Sequence, residues 1–259
     1  MQGSSAQDAT QSLFESADWY DRSINWRARL TREVPLLVDL FGPPGQGGLL
    51  DAGCGTGRQA VALAERGYRV VGADADEAMI EFARAQSAAG SGNLRFVVSS
   101  YETMPERAGA GFDGVYCVGN ALAAAGSRDA AATAVAALSC CLRPGGRLFV
   151  QILNFPPMRR EQPCVRGPRL ANVAGREYIS FRHFVFYDDH AEVTNVTLWH
   201  EGGWRLRSHG GRLHPIEPGE LRAWCAEAGL RVDHLWGGYA REPWDADESV
   251  DVLLAATRL

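Results

Sequence analysis

Between Leu49 and Ala60 the chain reads LLDAGCGTGRQA: two leucines, the acid Asp51, then Gly53, Gly55 and Gly57 within five residues. Glycines between a strand and a helix let backbone approach a ligand closely, because no Cβ intervenes. The start of the helix adds unpaired N–H groups. The spacing is GxGxG after an acid, which fits the GxGxxG of dinucleotide-binding turns poorly. A second acid, Asp74, ends the next strand in VVGAD, 21 residues beyond Gly53. A carboxylate there can accept both hydroxyls of a ribose. Loop and acid together predict a nucleoside site at the carboxyl edge of a sheet.

The elements that must hold these residues are read from periodicity and from Gly and Pro punctuation. Residues 13–40 read as two helices, ending at the break DLFGPPGQGG. Strand and helix signals then alternate: GLLDAG, GRQAVALAERG, YRVVGAD, DEAMIEFARAQSAAG, NLRFVVSS, FDGVYCVGN, SRDAAATAVAALSCCLRPGG and RLFVQILN. That alternation predicts a parallel sheet covered by helices. Residues 156–176, rich in Pro, Arg and Gly, read as loop. EYISFRHFVFYDD, AEVTNVTLWHEGG and WRLRSHGGRLHP read as consecutive antiparallel strands, and EPGELRAWCAEAG as a helix before two closing strands. The expected organisation is a disordered tail at 1–12, a helical cap at 13–47, an α/β core at 48–155 and 216–259, and an antiparallel β insertion at 156–215 covering a substrate site.

At 259 residues the chain can bury a full core, and 46% apolar with 22% charged residues is ordinary for a globular protein. A net charge of −5, with no long basic run, argues against nucleic acid as a partner. No apolar stretch approaches the ~20 residues of a membrane helix. The six cysteines form no CxxC pair or Cys/His cluster with zinc spacing, so no metal site is expected. Buried free thiols in a reducing cytoplasm account for them.

The segments LLDAGCGTG, VVGADADEAMIEFAR, FVVSSYETMP, FDGVYCVGN and LRPGGRLFVQILN, in this order, resemble a class I S-adenosylmethionine-dependent methyltransferase. YCVGNALAAA and WRARLTREVPLL resemble glycine N-methyltransferases and their bacterial relatives within that superfamily. The resemblance implies a Rossmann-like α/β fold: a seven-stranded, mostly parallel sheet with helices on both faces, an N-terminal helical cap and an antiparallel β insertion. It implies S-adenosylmethionine as cofactor. Gly53, Gly55 and Gly57 would make room for its methionine part and ribose. Asp51 would meet its amino end, Asp74 its ribose, and Ala75 and Met79 its adenine. Ser100 stands where the family often has an acid for the adenine amine, with Tyr101 beside it to stack on or cover the ring. Val118 and Gly119 match the strand end beneath the cofactor, and Arg29 the arginine that pairs with the methionine carboxylate. Tyr20 and Trp26, from their place on the N-terminal helices, are candidates to close over the cofactor as a lid.

Transfer from a sulfonium is an in-line displacement, so a protein must chiefly align the acceptor and exclude water. Asn120 and Asn154, at the ends of two strands, are the candidates for positioning the acceptor. Related glycine N-methyltransferases carry an arginine where this chain has Leu153, so glycine is not the expected substrate and a less polar acceptor is. In YISFRHFVFY, His183 shares a face with Phe181 and Val185, while Arg182 shares the other with Phe184 and Phe186; either face can line a pocket. His183 and Arg212 are candidate substrate residues. The expectation is a cytoplasmic enzyme that methylates a small molecule, with nitrogen favoured. The alternatives are an O- or C-methyltransferase of an aromatic natural product and a non-catalytic S-adenosylmethionine-binding sensor or partner protein.

Overall fold

A computed structural model describes residues 17–87, 92–161, 163–173 and 175–259. The expected tail at 1–12 lies outside them, as does the start, at residue 13, expected for the first helix. Helix α1 is described over 17–22 and is followed by α2 (Trp26–Phe41). Asn25 caps α2 by accepting from the Ala28 N–H at 3.1 Å, an arrangement worth about 1 kcal/mol.

The core is one seven-stranded sheet. Its strands are β1 (Leu49–Ala52), β2 (Val70–Asp74), β3 (Leu94–Val98), β4 (Phe112–Cys117), β5 (Leu142–Leu153), β10 (Leu230–Trp236) and β11 (Asp251–Arg258). The order is β10-β11-β5-β4-β1-β2-β3. β1 pairs in parallel with β2 and with β4, so the chain reverses its direction of travel across the sheet beside β1. Ligands of open α/β sheets bind outside the carboxyl ends of strands at such a point. β11 runs antiparallel to β5 and β10, which brings its first residue, Asp251, to the carboxyl ends of the others.

Alternation along the strands builds two apolar layers. Leu50, Val115, Cys117, Leu148, Val150 and Ile152 pack on one face with Val135 and Leu138 of α6 (Arg128–Cys141) and Leu221 of α8 (Pro218–Glu227). Leu49, Tyr116, Val118, Phe149 and Leu253 pack on the other with Leu37 of α2, Leu63 of α3 (Arg58–Ala64) and Ile80 of α4 (Glu77–Gln86). A short α5 (Met104–Arg107) precedes β4. The expected fold class is therefore the observed one.

Between β5 and α8 the chain forms a second, four-stranded antiparallel sheet in the order β6-β7-β8-β9: β6 (Cys164–Val173), β7 (Arg176–Phe186), β8 (Ala191–His200) and β9 (Trp204–Leu213). Three of these strands are the expected ones. The expected loop at 156–176 is replaced by α7 (Phe155–Arg160) and β6. Pro168 disguises β6 in the sequence, but β6 is an edge strand, where a residue without an N–H is tolerated. Its register with β7 shifts between Arg166 and Arg169, on either side of that proline.

Candidate functional site

A cavity of about 720 Å³ opens between the carboxyl ends of β1, β4 and β5, the helices α1 and α2, and the inner face of the four-stranded sheet. That volume falls in the ~300–1,000 Å³ range of small-molecule sites. Alternation explains its polar floor. Asp51, Gln151 and Asp251 fall on the strand face that carries Leu49, Phe149 and Leu253, and each line the cavity where the apolar layer ends.

The glycine loop divides by role. Gly55 lines the cavity, and a Cβ there would meet nothing closer than Tyr20 Cε1 at 3.8 Å. A Cβ on Gly53 would lie 2.7 Å from the Ala121 Cβ, and one on Gly57 would lie 2.6 Å from the Phe96 ring. Gly57 is turned to the core and does not line the cavity; its missing side chain makes room for Phe96 instead. All three have positive φ, where glycine is favoured. Asp74 braces the loop: its Oδ2 accepts from the Gly55 N–H at 2.8 Å and its Oδ1 from the Asp76 N–H at 3.0 Å. It also lines the cavity, half-buried, with spare lone pairs for a ligand hydroxyl.

Asp51 is buried, and its Oδ2 has no hydrogen-bond partner among the described residues. Burial pushes its carboxyl up to about 8. An orphaned buried acceptor beside a cavity is a place for a cationic donor from a ligand. Arg29 lies close by on α2. Its Nε donates to Glu33 Oε1 at 2.7 Å, and its guanidinium lies 5.1 Å from the Trp26 ring centroid. Glu33 is buried and also accepts from Gln59 Nε2 at 2.8 Å. Burial pushes the Tyr20 phenol up, and the Arg29 charge works against that shift.

Helix α1 is fastened on two sides. Asp21, almost fully buried, accepts from Thr56 Oγ1 at 2.8 Å, inside the glycine loop, and from Arg58 Nε at 2.9 Å, just beyond it. Trp19 packs against Tyr178 and Trp199 of the second sheet, with ring centroids 5.9 and 5.1 Å apart, and Arg207 lies over its ring at 5.2 Å.

Beyond Val118 and Gly119 the cavity floor is set by Gln151. Its Oε1 accepts from the Gly119 N–H at 2.7 Å and the Asn120 N–H at 3.2 Å, while its Nε2 donates to Asp251 Oδ1 at 2.8 Å. Asn120 has φ of 66°, and its Oδ1 accepts from the Leu153 N–H at 3.0 Å. Its Nδ2 stays available to a ligand, with no hydrogen-bond acceptor among the described residues. Asn154 behaves otherwise. Its Nδ2 donates to the carbonyls of Ala246 and Ser249 at 3.0 and 2.9 Å, so it anchors the loop before β11 while also bordering the cavity.

Of the residues singled out in the sequence, the cavity brings together Tyr20, Arg29, Asp51, Gly53, Gly55, Asp74, Met79, Val118, Gly119, Asn120 and Asn154. It does not include Gly57, Ala75, Ser100, Tyr101, His183 or Arg212. Ser100 Oγ lies 3.2 Å from Thr103 Oγ1, and the Tyr101 hydroxyl lies 3.3 Å from Cys117 Sγ. The face of β7 that lines the cavity is that of Ser180, Arg182 and Phe184, which leaves His183 off the cavity wall; Arg212 is exposed. Glu33, Gln151, Arg169 and Asp251 line the cavity without having been singled out. Gln151 carried one signal, a lone amide in the otherwise apolar run LFVQIL.

Residues 49–146 match a family described as a methyltransferase domain. The chain is 28% identical over 198 residues to the ubiquinone biosynthesis O-methyltransferase of Xanthomonas axonopodis pv. citri, covering 76% of this chain and 67% of that protein. It is 25% identical over 242 residues to the glycine/sarcosine N-methyltransferase of Parasynechococcus marenigrum, covering 91% and 81%. Among solved structures, CalS10 from Micromonospora echinaspora, an amino pentose methyltransferase with S-adenosylmethionine bound, superposes with a TM-score of 0.73 at 26% identity over 95% of this chain and 96% of that one. Sheet order, glycine loop and these likenesses define a class I S-adenosylmethionine-dependent methyltransferase. This chain is such an enzyme, and S-adenosylmethionine is its cofactor.

Proposed function

We propose that the chain methylates a nitrogen of a small molecule held between the glycine loop and the four-stranded sheet. The observation that supports this reading is the continuity of the cavity. It runs from Gly55 and Asp74, past Asp51 and Asn120, to the inner wall of β7 and β8. The likenesses to the amino pentose and the glycine/sarcosine methyltransferases agree with a nitrogen acceptor.

S-adenosylmethionine supplies a methyl group activated on a sulfonium. Asp74 and the Gly55 backbone hold the ribose side, Met79 borders the adenine, Asp51 accepts from the amino group, and Arg29 pairs with the carboxylate. Gln151 fixes the Gly119–Asn120 turn, so that Asn120 Nδ2 can donate to the acceptor. Tyr20 and α1 exclude water. An amine acceptor has only to lose its proton, which requires no strong base. A second reading, O-methylation, has its own support. Burial raises the carboxyl of Asp251, and Asp251 lines the cavity, so it can take a proton from a hydroxyl. Paired acceptors differing only in amine or hydroxyl, assayed by release of S-adenosylhomocysteine, test the choice. Turnover of hydroxyl members alone would overturn N-methylation.

A further inference from the structure

The wall contributed by the second sheet carries more positive charge than the fold needs. Cross-strand pairing sets Arg166, Arg182, Asn195 and His209 in one row across all four strands, and Arg169, Ser180 and Thr197 in the next. All seven line the cavity. Arg166 is paired with Glu161 at 2.7 Å. Arg182 and Arg169 neither ion-pair nor hydrogen-bond with another described residue; Arg182 lies over the Phe184 ring, 5.9 Å from its centroid.

We propose that the methyl acceptor carries an anionic group, a carboxylate or a phosphate, seated by Arg182 and Arg169 on the inner face of the four-stranded sheet. The inference rests on reading the cavity as the methyl-transfer site. Half-burying a guanidinium without an acid costs free energy, and a second like charge in the next row adds to it. Burial lowers the Arg182 pKa, and the charge of Arg169 lowers it further. Asp251 acts on Arg182 through space alone, with no hydrogen bond or ion pair joining the two; its Oδ1 accepts from Gln151. An anion that accepts from both guanidinium groups removes this penalty through charge-assisted hydrogen bonds. Asn195 and Thr197 supply uncharged donors on the same wall. The acceptor is thus bipolar: a nucleophile toward Asn120, and an anionic group toward β6 and β7, in place of the less polar acceptor expected from Leu153 alone.

The probes are inorganic phosphate and succinate, titrated into the S-adenosylhomocysteine-saturated protein. The arginine Nε–Hε resonances of Arg182 and Arg169 are followed by NMR. A saturable shift with either probe, weakened about ten-fold or more in Arg182→Gln, is expected. A response to phosphate alone assigns a phosphorylated acceptor, and a response to succinate alone a carboxylated one. Arg182→Gln should melt at or above the wild-type temperature without anion and should keep wild-type affinity for S-adenosylhomocysteine. Arg182→Lys should retain part of the anion binding. No saturable shift with either probe, or equal binding in the Arg169→Gln/Arg182→Gln double variant, overturns the proposal. Failure of the wild type to bind S-adenosylhomocysteine overturns the cofactor-site reading instead; the anion titration on the unliganded protein is read independently.

Discussion

The Arg29 guanidinium occupies the space that a side chain at Gly119 would need: a Cβ on Gly119 would lie 2.6 Å from Arg29 Nη2. A helix arginine is thereby laid against a strand-end glycine. Gly119→Ala should displace Arg29 and strain a backbone whose φ is +76°. Arg29→Ala should weaken S-adenosylhomocysteine by about 1.5–3 kcal/mol and leave 5′-methylthioadenosine, which lacks the carboxylate, unaffected. Gln59 still donates to Glu33 in that variant. Calorimetry with both ligands decides; equal losses would make Arg29 purely structural.

Gly55 and Gly57 should respond differently to a side chain. Gly55→Val fills cavity space and meets little protein, so cofactor binding should vanish, with a stability loss of about 1–2 kcal/mol from the positive φ. Gly57→Ala drives a methyl group into Phe96, so stability should fall more than the strain alone explains. Melting curves alongside titration separate the two. Normal binding by folded Gly55→Val would show that the loop is only a turn.

Asp51 should make both stability and affinity depend on pH. Its folded carboxyl titrates near 8, above the ordinary value of about 4. The folded state therefore holds a proton that the unfolded state has released. Its contribution to stability is full below about pH 4 and is lost as pH rises toward 8. A ligand ammonium at Oδ2 favours the ionised form, so cofactor affinity should rise over the upper part of the same window. Asp51→Asn should abolish both trends. Wild-type affinity that is flat between pH 6 and about 8 would remove Asp51 from the amino end of the cofactor.

Asn120→Asp keeps the acceptor oxygen for the Leu153 N–H and removes the donor facing the ligand. With the true acceptor, kcat/KM should fall about ten-fold, the worth of one good hydrogen bond, while cofactor affinity holds. A matching loss of cofactor affinity would mean that Asn120 only shapes the floor. Glycine should be a poor substrate, because Leu153 offers its carboxylate no partner at the cavity floor. Efficient methylation of glycine by the wild type would contradict this.

Much of the fold was legible, because parallel strands and their helices announce themselves through glycine loops, acids at strand ends and apolar runs. What escaped depended on direction and on partners distant in sequence. Alternation separates Arg182 from His183, but only packing decides which face turns inward, and it is the arginine face. Gln151 is informative only once β5 lies beside β4 and meets the Gly119 N–H. Glu33 sits on the apolar stripe of α2, and its burial makes sense only with Arg29 and Gln59 in place. β6 was hidden by Pro168, whose tolerance rests on the strand being at an edge.

Helix α1 is held at once by Asp21 on the cofactor loop and by Trp19 on the acceptor wall. Its grip on either side depends on how well that side is ordered. The two ligands are then not independent guests. Whatever free energy the first contributes by settling α1 is inherited by the second, and linkage makes the exchange reciprocal: the factor by which cofactor tightens acceptor binding must equal the factor by which acceptor tightens cofactor. Removing the Asp21 carboxylate should pull that common factor toward one, turning a cooperative pair of sites into two separate ones.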